Sequence, residues 1–290
     1  MDPLRRVRQP GPPSLERIHC AEGRAVTLEF DLEPGLILLE AVRRPLAAIG
    51  GASAVLRLES GAFGPLTYAM PALSPTPEHA AFYSDFFRPA GKSRLDCGAV
   101  TFGTNDGAAT LHCHGLWIEA NGDRHGGHII PTETIVAEPI HARAWALDGM
   151  GFETRHDAET NFRLFEPAPR PAMHDARAGG RFFALRLAPN QDISAALEEF
   201  CRERGIASAE LHGGVASIIG AVFDDGREVE PFATEMFIRA GRIATTRGGA
   251  QEAILDVALV DYTGGLAEGR LRRGANPVLM TVEVVLEALG

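Results

Sequence analysis

Val26, Leu28 and Phe30 alternate with Thr27 and Glu29, and Phe183, Leu185 and Leu187 alternate with Ala184 and Arg186. A period of two marks a half-buried strand. A helical period follows each: Leu36, Leu39, Val42, Leu46 and Ile49 in the first case, Ile193, Leu197 and Phe200 in the second. Both helices run into similar pentapeptides, Gly50-Gly51-Ala52-Ser53-Ala54 and Gly205-Ile206-Ala207-Ser208-Ala209. Asn190 and Asp192 are candidate N-caps for the second helix and Gly205 its stop, while Pro45 predicts a bent or shortened first helix.

The recurrence extends further. His128 to Leu147 can be laid without a gap on Arg270 to Leu289, with Leu111-His112-Cys113-His114 placed on Leu255-Asp256-Val257-Ala258. Two tandem copies of one domain are therefore expected, over residues 20–165 and 180–290, after an N-terminal arm of residues 1–19. Between them, residues 166–179 open with Glu166-Pro167-Ala168-Pro169-Arg170-Pro171-Ala172, which reads as a linker because proline suits neither a helix interior nor a central strand. Copy one carries an insertion, residues 71–94, with Phe82, Tyr83, Phe86 and Phe87; covering the flank of its own domain is the expected role, and a lid or partner patch the alternative.

Composition narrows the class. Thirty-two glycines and nineteen prolines in 290 residues argue against an all-helical fold and for a sheet with many turns. Four scattered cysteines without a CxxC pair fit a reducing compartment, and neither a leader peptide nor an apolar run long enough for a spanning helix is read, so a cytoplasmic protein with no membrane partner is expected. The net charge is -10, and from Arg181 onward 11 arginines face 16 acidic residues, so neither half has a basic footprint for nucleic acid.

The sharpest chemical feature is a set of histidines. His112 and His114 stand two apart on a predicted strand, on one face. A three-residue loop centred on Asn121, with Gly122 free to take a positive φ, would set His114 opposite His128. Three imidazoles on one face match a transition metal held by three protein ligands with a further position open. His125 should face the other way, Cys113 should point into the core, and His141 either joins the group or is a plain polar residue. Asp123, Glu133 and Glu138 are the nearest carboxylates in sequence, none at a diagnostic spacing for a catalytic base. HExxH, GxSxG, Walker A and dinucleotide-binding glycine motifs are absent. His212-Gly213-Gly214 could cradle an anion, although a tight passage between strands is the commoner use of such glycines.

The segments Ala184-Leu185-Arg186-Leu187, Arg204 to Ala209, Gly213 to Ser217, Gly241-Arg242-Ile243, Gly269-Arg270-Leu271 and Thr281 to Val285 together resemble the plants and prokaryotes conserved domain (PPC, also PCC or PD1-like). Copy one resembles it through Leu111-His112-Cys113-His114 and Gly126-Gly127-His128-Ile129. The resemblance implies an α/β (α+β) fold, a curved and mainly antiparallel sheet flanked by helices in each copy, and trimeric assembly. For two tandem copies that means a homotrimer of six domains. It also implies a metal site at His112, His114 and His128, for which zinc is the expected ion, with a small-molecule or metal-dependent role. The alternatives are a DNA-binding architectural protein and a metal-dependent hydrolase or lyase. Arg6-Val7-Arg8-Gln9-Pro10 lacks the glycine of the AT-hook found in plant relatives, so nucleic acid is not the expected partner. In copy two, Asp256, Ala258 and Arg270 are expected at the three histidine positions, with Asp256 and Arg270 either ion-paired across a hairpin or separately solvated.

Overall fold

The computed structural model describes residues 5–172 and 180–289. The first half runs β1 (Ile18–Leu32), α1 (Leu38–Ala48), β2 (Ala54–Glu59), β3 (Ala62–Phe63), β4 (Tyr68–Ala69), β5 (Pro71–Leu73), β6 (Ala81–Tyr83), β7 (Ser93–Asn105), β8 (Ala108–Ile118), β9 (Arg124–Ile129), β10 (Val136–Glu138) and β11 (Ile140–Asp148). A connecting hairpin, β12 (Met150–Asp157) and β13 (Phe162–Pro169), leads to β14 (Arg181–Leu187), α2 (Ile193–Glu203), β15 (Ser208–Val222), β16 (Glu228–Thr245), β17 (Gln251–Asp261), β18 (Leu266–Arg270) and β19 (Val278–Leu289).

The two halves share one antiparallel ladder order. It is β1-β11-β2-β7-β8-β9 in the first and β14-β19-β15-β16-β17-β18 in the second. Strand β1 is shared, because residues 24–32 pair with β11 while residues 18–23 pair with β14. The fold is α+β but sheet-dominated: among the described residues each half has one helix, not several flanking it. The helix α2 starts at the expected cap, Asp192, whose side chain accepts from Ala195 N–H at 2.9 Å, and it ends at Gly205 with φ +65°. Helix α1 continues through Pro45 to Ala48.

One face of each sheet packs on its helix. Leu38, Val42 and Leu46 of α1 close over Leu56, Val100, Cys113 and Ile129, and Ile193, Leu197 and Phe200 of α2 close over Leu185, Leu255 and Val284. The other faces pack against each other: Ala99 and Leu116 meet Val215, Phe237 and Ala258, and Val55 and Trp145 meet Phe182 and Val285. Alternation therefore assigns every second residue of β8, including His112 and His114, to the seam between copies.

Two expectations change here. Residues 166–169 of the proposed linker belong to β13, with Pro167 opposite Phe152 and Pro169 opposite Met150. Prolines are tolerated because, among the described residues, β13 takes its ladder from β12, and a strand bonded on one side can spare donors on the other. Residues 173–179 of that linker, and residues 1–4 of the N-terminal arm, lie outside the described residues. The rest of the arm straps onto the second half: Val7 N–H donates to Asn190 Oδ1 at 2.8 Å, and Gln9 Nε2 to the Leu279 carbonyl at 2.6 Å. The aromatic insertion does more than cover its own flank. Phe87 stacks on Tyr68 at 5.1 Å within its own half, but Ala81 packs with Ile219, Leu279 and Met280 of the other, and Tyr83 lies on His128 at 4.9 Å. Among the described residues no helix is long and apolar enough to cross a membrane.

The glycines after His212 serve close passage between strands. Gly213 adopts φ +66°, and a Cβ there would lie 2.6 Å from Val55 Cβ in the opposite copy. Gly213→Ala combines a left-handed backbone penalty with overpacking, so a loss of about 2–4 kcal/mol is expected. Thermal unfolding of this variant should show it, and Val55→Ala in the same chain should restore part; an unchanged midpoint would reject the close-packing role.

Candidate metal centre

The hairpin β8–β9 sets the centre. Glu119 N–H donates to the Asp123 carbonyl at 2.9 Å, closing a three-residue loop in which Gly122 has φ +93°, and the ladder then pairs His114 directly with His128. The register inferred from the sequence holds. His112, two residues before His114, shares its face, and the ring centroids of the three lie 4.6 to 5.4 Å apart. One nitrogen from each can be chosen so that all three lie within 4.8 Å of one another.

The second half fixes the rings. His112 Nδ1–H donates to the Glu283 carboxylate at 3.1 Å, and His114 Nδ1–H to the Met236 carbonyl at 3.0 Å. In neutral rings with both Nδ1 protons so engaged, each Nε2 carries a lone pair, and the two Nε2 atoms face each other 3.0 Å apart. Two lone pairs at that distance repel unless a cation lies between them. Burial, with smaller contributions from His112 and then His128, holds the His114 imidazole well below its ordinary value; burial and then His112 do the same for His128. Neutral imidazole is the ligating form. The Nδ1 of His128 is buried without a hydrogen-bond partner, so this ring too keeps an uncommitted nitrogen.

The carboxylates nearest in sequence are elsewhere. Glu133 pairs with Arg88, Glu138 with Lys92, and Asp123 accepts from Asn121 in the hairpin turn. His141 pairs with Asp31 at the surface, His125 lies 3.9 Å from Glu119, and Cys113 is fully buried in the core behind the site. The carboxylates that reach the histidines are Glu283 and Glu235, both buried and both from the second half, which proximity in sequence could not reveal. Glu235 Oε1 stands 3.6 Å from His114 Nε2 and its Oε2 has no partner. Burial pushes this carboxyl well above its ordinary value. A cavity of about 60 Å³ adjoins the group, lined by Phe82, Tyr83, His112, His114, Glu235 and Met280 among others.

The corresponding hairpin of the second half has lost the donors, with one correction of register. Asp261 N–H closes on the Gly265 carbonyl, and Asp256 pairs with Ala240 and Arg270 as His114 pairs with Ala99 and His128. The position of His112 is thus taken by Ile254 and that of His114 by Asp256, two residues from the correspondence read in the sequence. Asp256 and Arg270 face each other, but their side chains form no ion pair among the described residues, and Arg270 is exposed.

Residues 174–290 match the family model of the Plants and Prokaryotes Conserved (PCC) domain. The second half of the chain is a PCC domain. Solved structures similar to the chain include a PPC protein from Pyrococcus horikoshii at 15% identity, covering 52% of this chain and 97% of that one with a TM-score of 0.41. A metal-containing protein from Archaeoglobus fulgidus shares 16% identity over 49% of this chain and 94% of its own, TM-score 0.41. A protein from Ralstonia eutropha JMP134, named as a candidate DNA-binding protein, shares 12% over 49% and 95%, TM-score 0.37. No curated protein matches the chain. The PCC domain here lacks the three histidines and instead supplies Glu235, Glu283 and the Met236 carbonyl to the half before it.

Proposed function

We propose that the protein is a tandem PCC-type metal-binding protein, in which a diverged first copy supplies His112, His114 and His128 and the second copy orients them. The observation that carries this reading is the convergence of the three imidazoles, with the Nε2 atoms of His112 and His114 3.0 Å apart and the Nδ1 atoms of both held by groups of the second half. A donor set of three imidazoles suits zinc. Glu283 holds the His112 ring as an outer carboxylate does for a ligating histidine. When bound, the ion would supply Lewis acidity at the cavity.

A small molecule is the proposed occupant of that cavity. Phe82, Tyr83 and Met280 give apolar walls, while His112, His114 and Glu235 concentrate the polar groups at one end. Metal-dependent hydrolysis or lyase chemistry is favoured as a second reading by Glu235, whose free Oε2 can hold or release a proton where the sequence had offered no base. The net charge of -10 and the strapped N-terminal arm speak against the DNA-binding alternative. Protein purified without an affinity tag is expected to carry a divalent ion that His112→Ala loses, measured by elemental analysis. An ion content identical in that variant would overturn the assignment.

A further inference from the structure

We propose that Glu210, His212 and Glu287 form a second divalent-cation site on the PCC domain's own strands. Glu210 and His212 stand two apart on β15, and β19 places Glu287 directly opposite Glu210. Two donors at i and i+2 with a third across the ladder is the arrangement of the histidine centre, here with two carboxylates and one imidazole. Candidate donor atoms of the three lie within 4.8 Å of one another, and His212 Nε2 lies 2.7 Å from Glu287 Oε2.

Charge and burial both favour a cation. Like charges directly opposite in a ladder destabilise it. The other cross-strand neighbour of Glu210 is Arg242, which forms no ion pair with it among the described residues. Arg57 comes near from the first copy, but its guanidinium donates to the Leu211 carbonyl at 2.9 Å and lies over Trp145, leaving two carboxylates against one cation. His212 is 4% exposed and stacked on Trp145 at 4.2 Å, so its ring is fixed with Nε2 toward the carboxylates, while its buried Nδ1 has no partner. Glu210 is exposed and leaves a path for entry. One imidazole with two carboxylates suits borderline ions such as zinc and manganese. The first copy has Val55 opposite Trp145 at the corresponding ladder position, so the two sites fall in different places in the two copies.

The test titrates chelator-stripped, full-length, untagged protein with Zn²⁺ alone and, separately, with Mn²⁺ alone, counting bound ions by native mass spectrometry. The wild type is expected to take two zinc equivalents. Glu287→Gln and Glu210→Gln should each bind at least tenfold more weakly at one of them while keeping the equivalent that His128→Ala removes. Glu210→Gln changes an exposed side chain, so it decides the matter if Glu287→Gln unfolds. Unchanged stoichiometry and affinity in Glu210→Gln, or no equivalent of either ion that survives His128→Ala, would overturn the site. If the three-histidine reading were the one in error, the wild type would bind one ion that survives His128→Ala and is lost in Glu210→Gln.

Discussion

The His114→Ala protein is expected to bind its metal at least about 100-fold more weakly than the wild type, since removing even an outer partner of a ligating histidine costs about 10–100-fold. His114 is 3% exposed, its Nδ1–H is donated to Met236, and its Nε2 faces His112 at 3.0 Å, so among the described residues no other imidazole besides His112 and His128 reaches that position. Glu283→Gln should give the smaller, outer-partner loss, because an amide still accepts from His112 Nδ1 but adds no negative charge to the imidazole. His125→Ala and His141→Ala should leave binding unchanged, as both lie away from the centre. Competition titration against a chromophoric chelator ranks all four variants. Wild-type affinity in His114→Ala would remove the basis for the centre, and equal losses in His114→Ala and Glu283→Gln would make the carboxylate a ligand rather than an orienting group.

Most of one half of this centre could be read from the sequence, and most of the other half could not. Alternation placed His112 and His114 on one face, and a three-residue loop with a permissive glycine fixed His114 against His128. These are local rules with a reach of about twenty residues. Glu283 lies 171 residues from His112, and what brings it there is two sheets packing face to face, which no periodicity encodes. One signal was present: Glu283 stands alone between Val282 and Val284 in a strand where every neighbour is buried. An isolated acid in such a strand calls for a partner. The proline-rich stretch misled for the opposite reason, since composition cannot distinguish a linker from a strand bonded on one side. The helices and caps were legible because Asp192 and Gly205 act within their own turn.

Arg186→Ala is expected to destabilise the protein by about 3–5 kcal/mol, the usual consequence of leaving buried charges without their partner. Arg186 is 3% exposed and bridges Asp157 and Glu166, each at 2.9 Å, while Glu166 also accepts from His19 Nδ1. The residues come from β14, the β12–β13 connection and β1, so the network pins the chain between the halves to the strand they share. Burial raises the Asp157 and Glu166 carboxyls, but the bonds from Thr160 and Arg186 to the one, and from His19 and Arg186 to the other, outweigh it and leave both below their ordinary values. Their stabilising contribution is therefore present above the ordinary carboxylate range and lost as pH falls through the lowered values. His19 behaves oppositely: the bond to Glu166 raises it despite burial, so its share is complete below 6.5 and lost as pH rises through the raised value. Denaturant unfolding across pH should show both limbs in the wild type and a weakened acid limb in Arg186→Ala. The triple variant Arg186→Met, Asp157→Asn, Glu166→Gln should recover much of the lost stability, because the cost lies in stranded charge and not in lost contact. A triple variant as unstable as Arg186→Ala would assign the effect to packing instead.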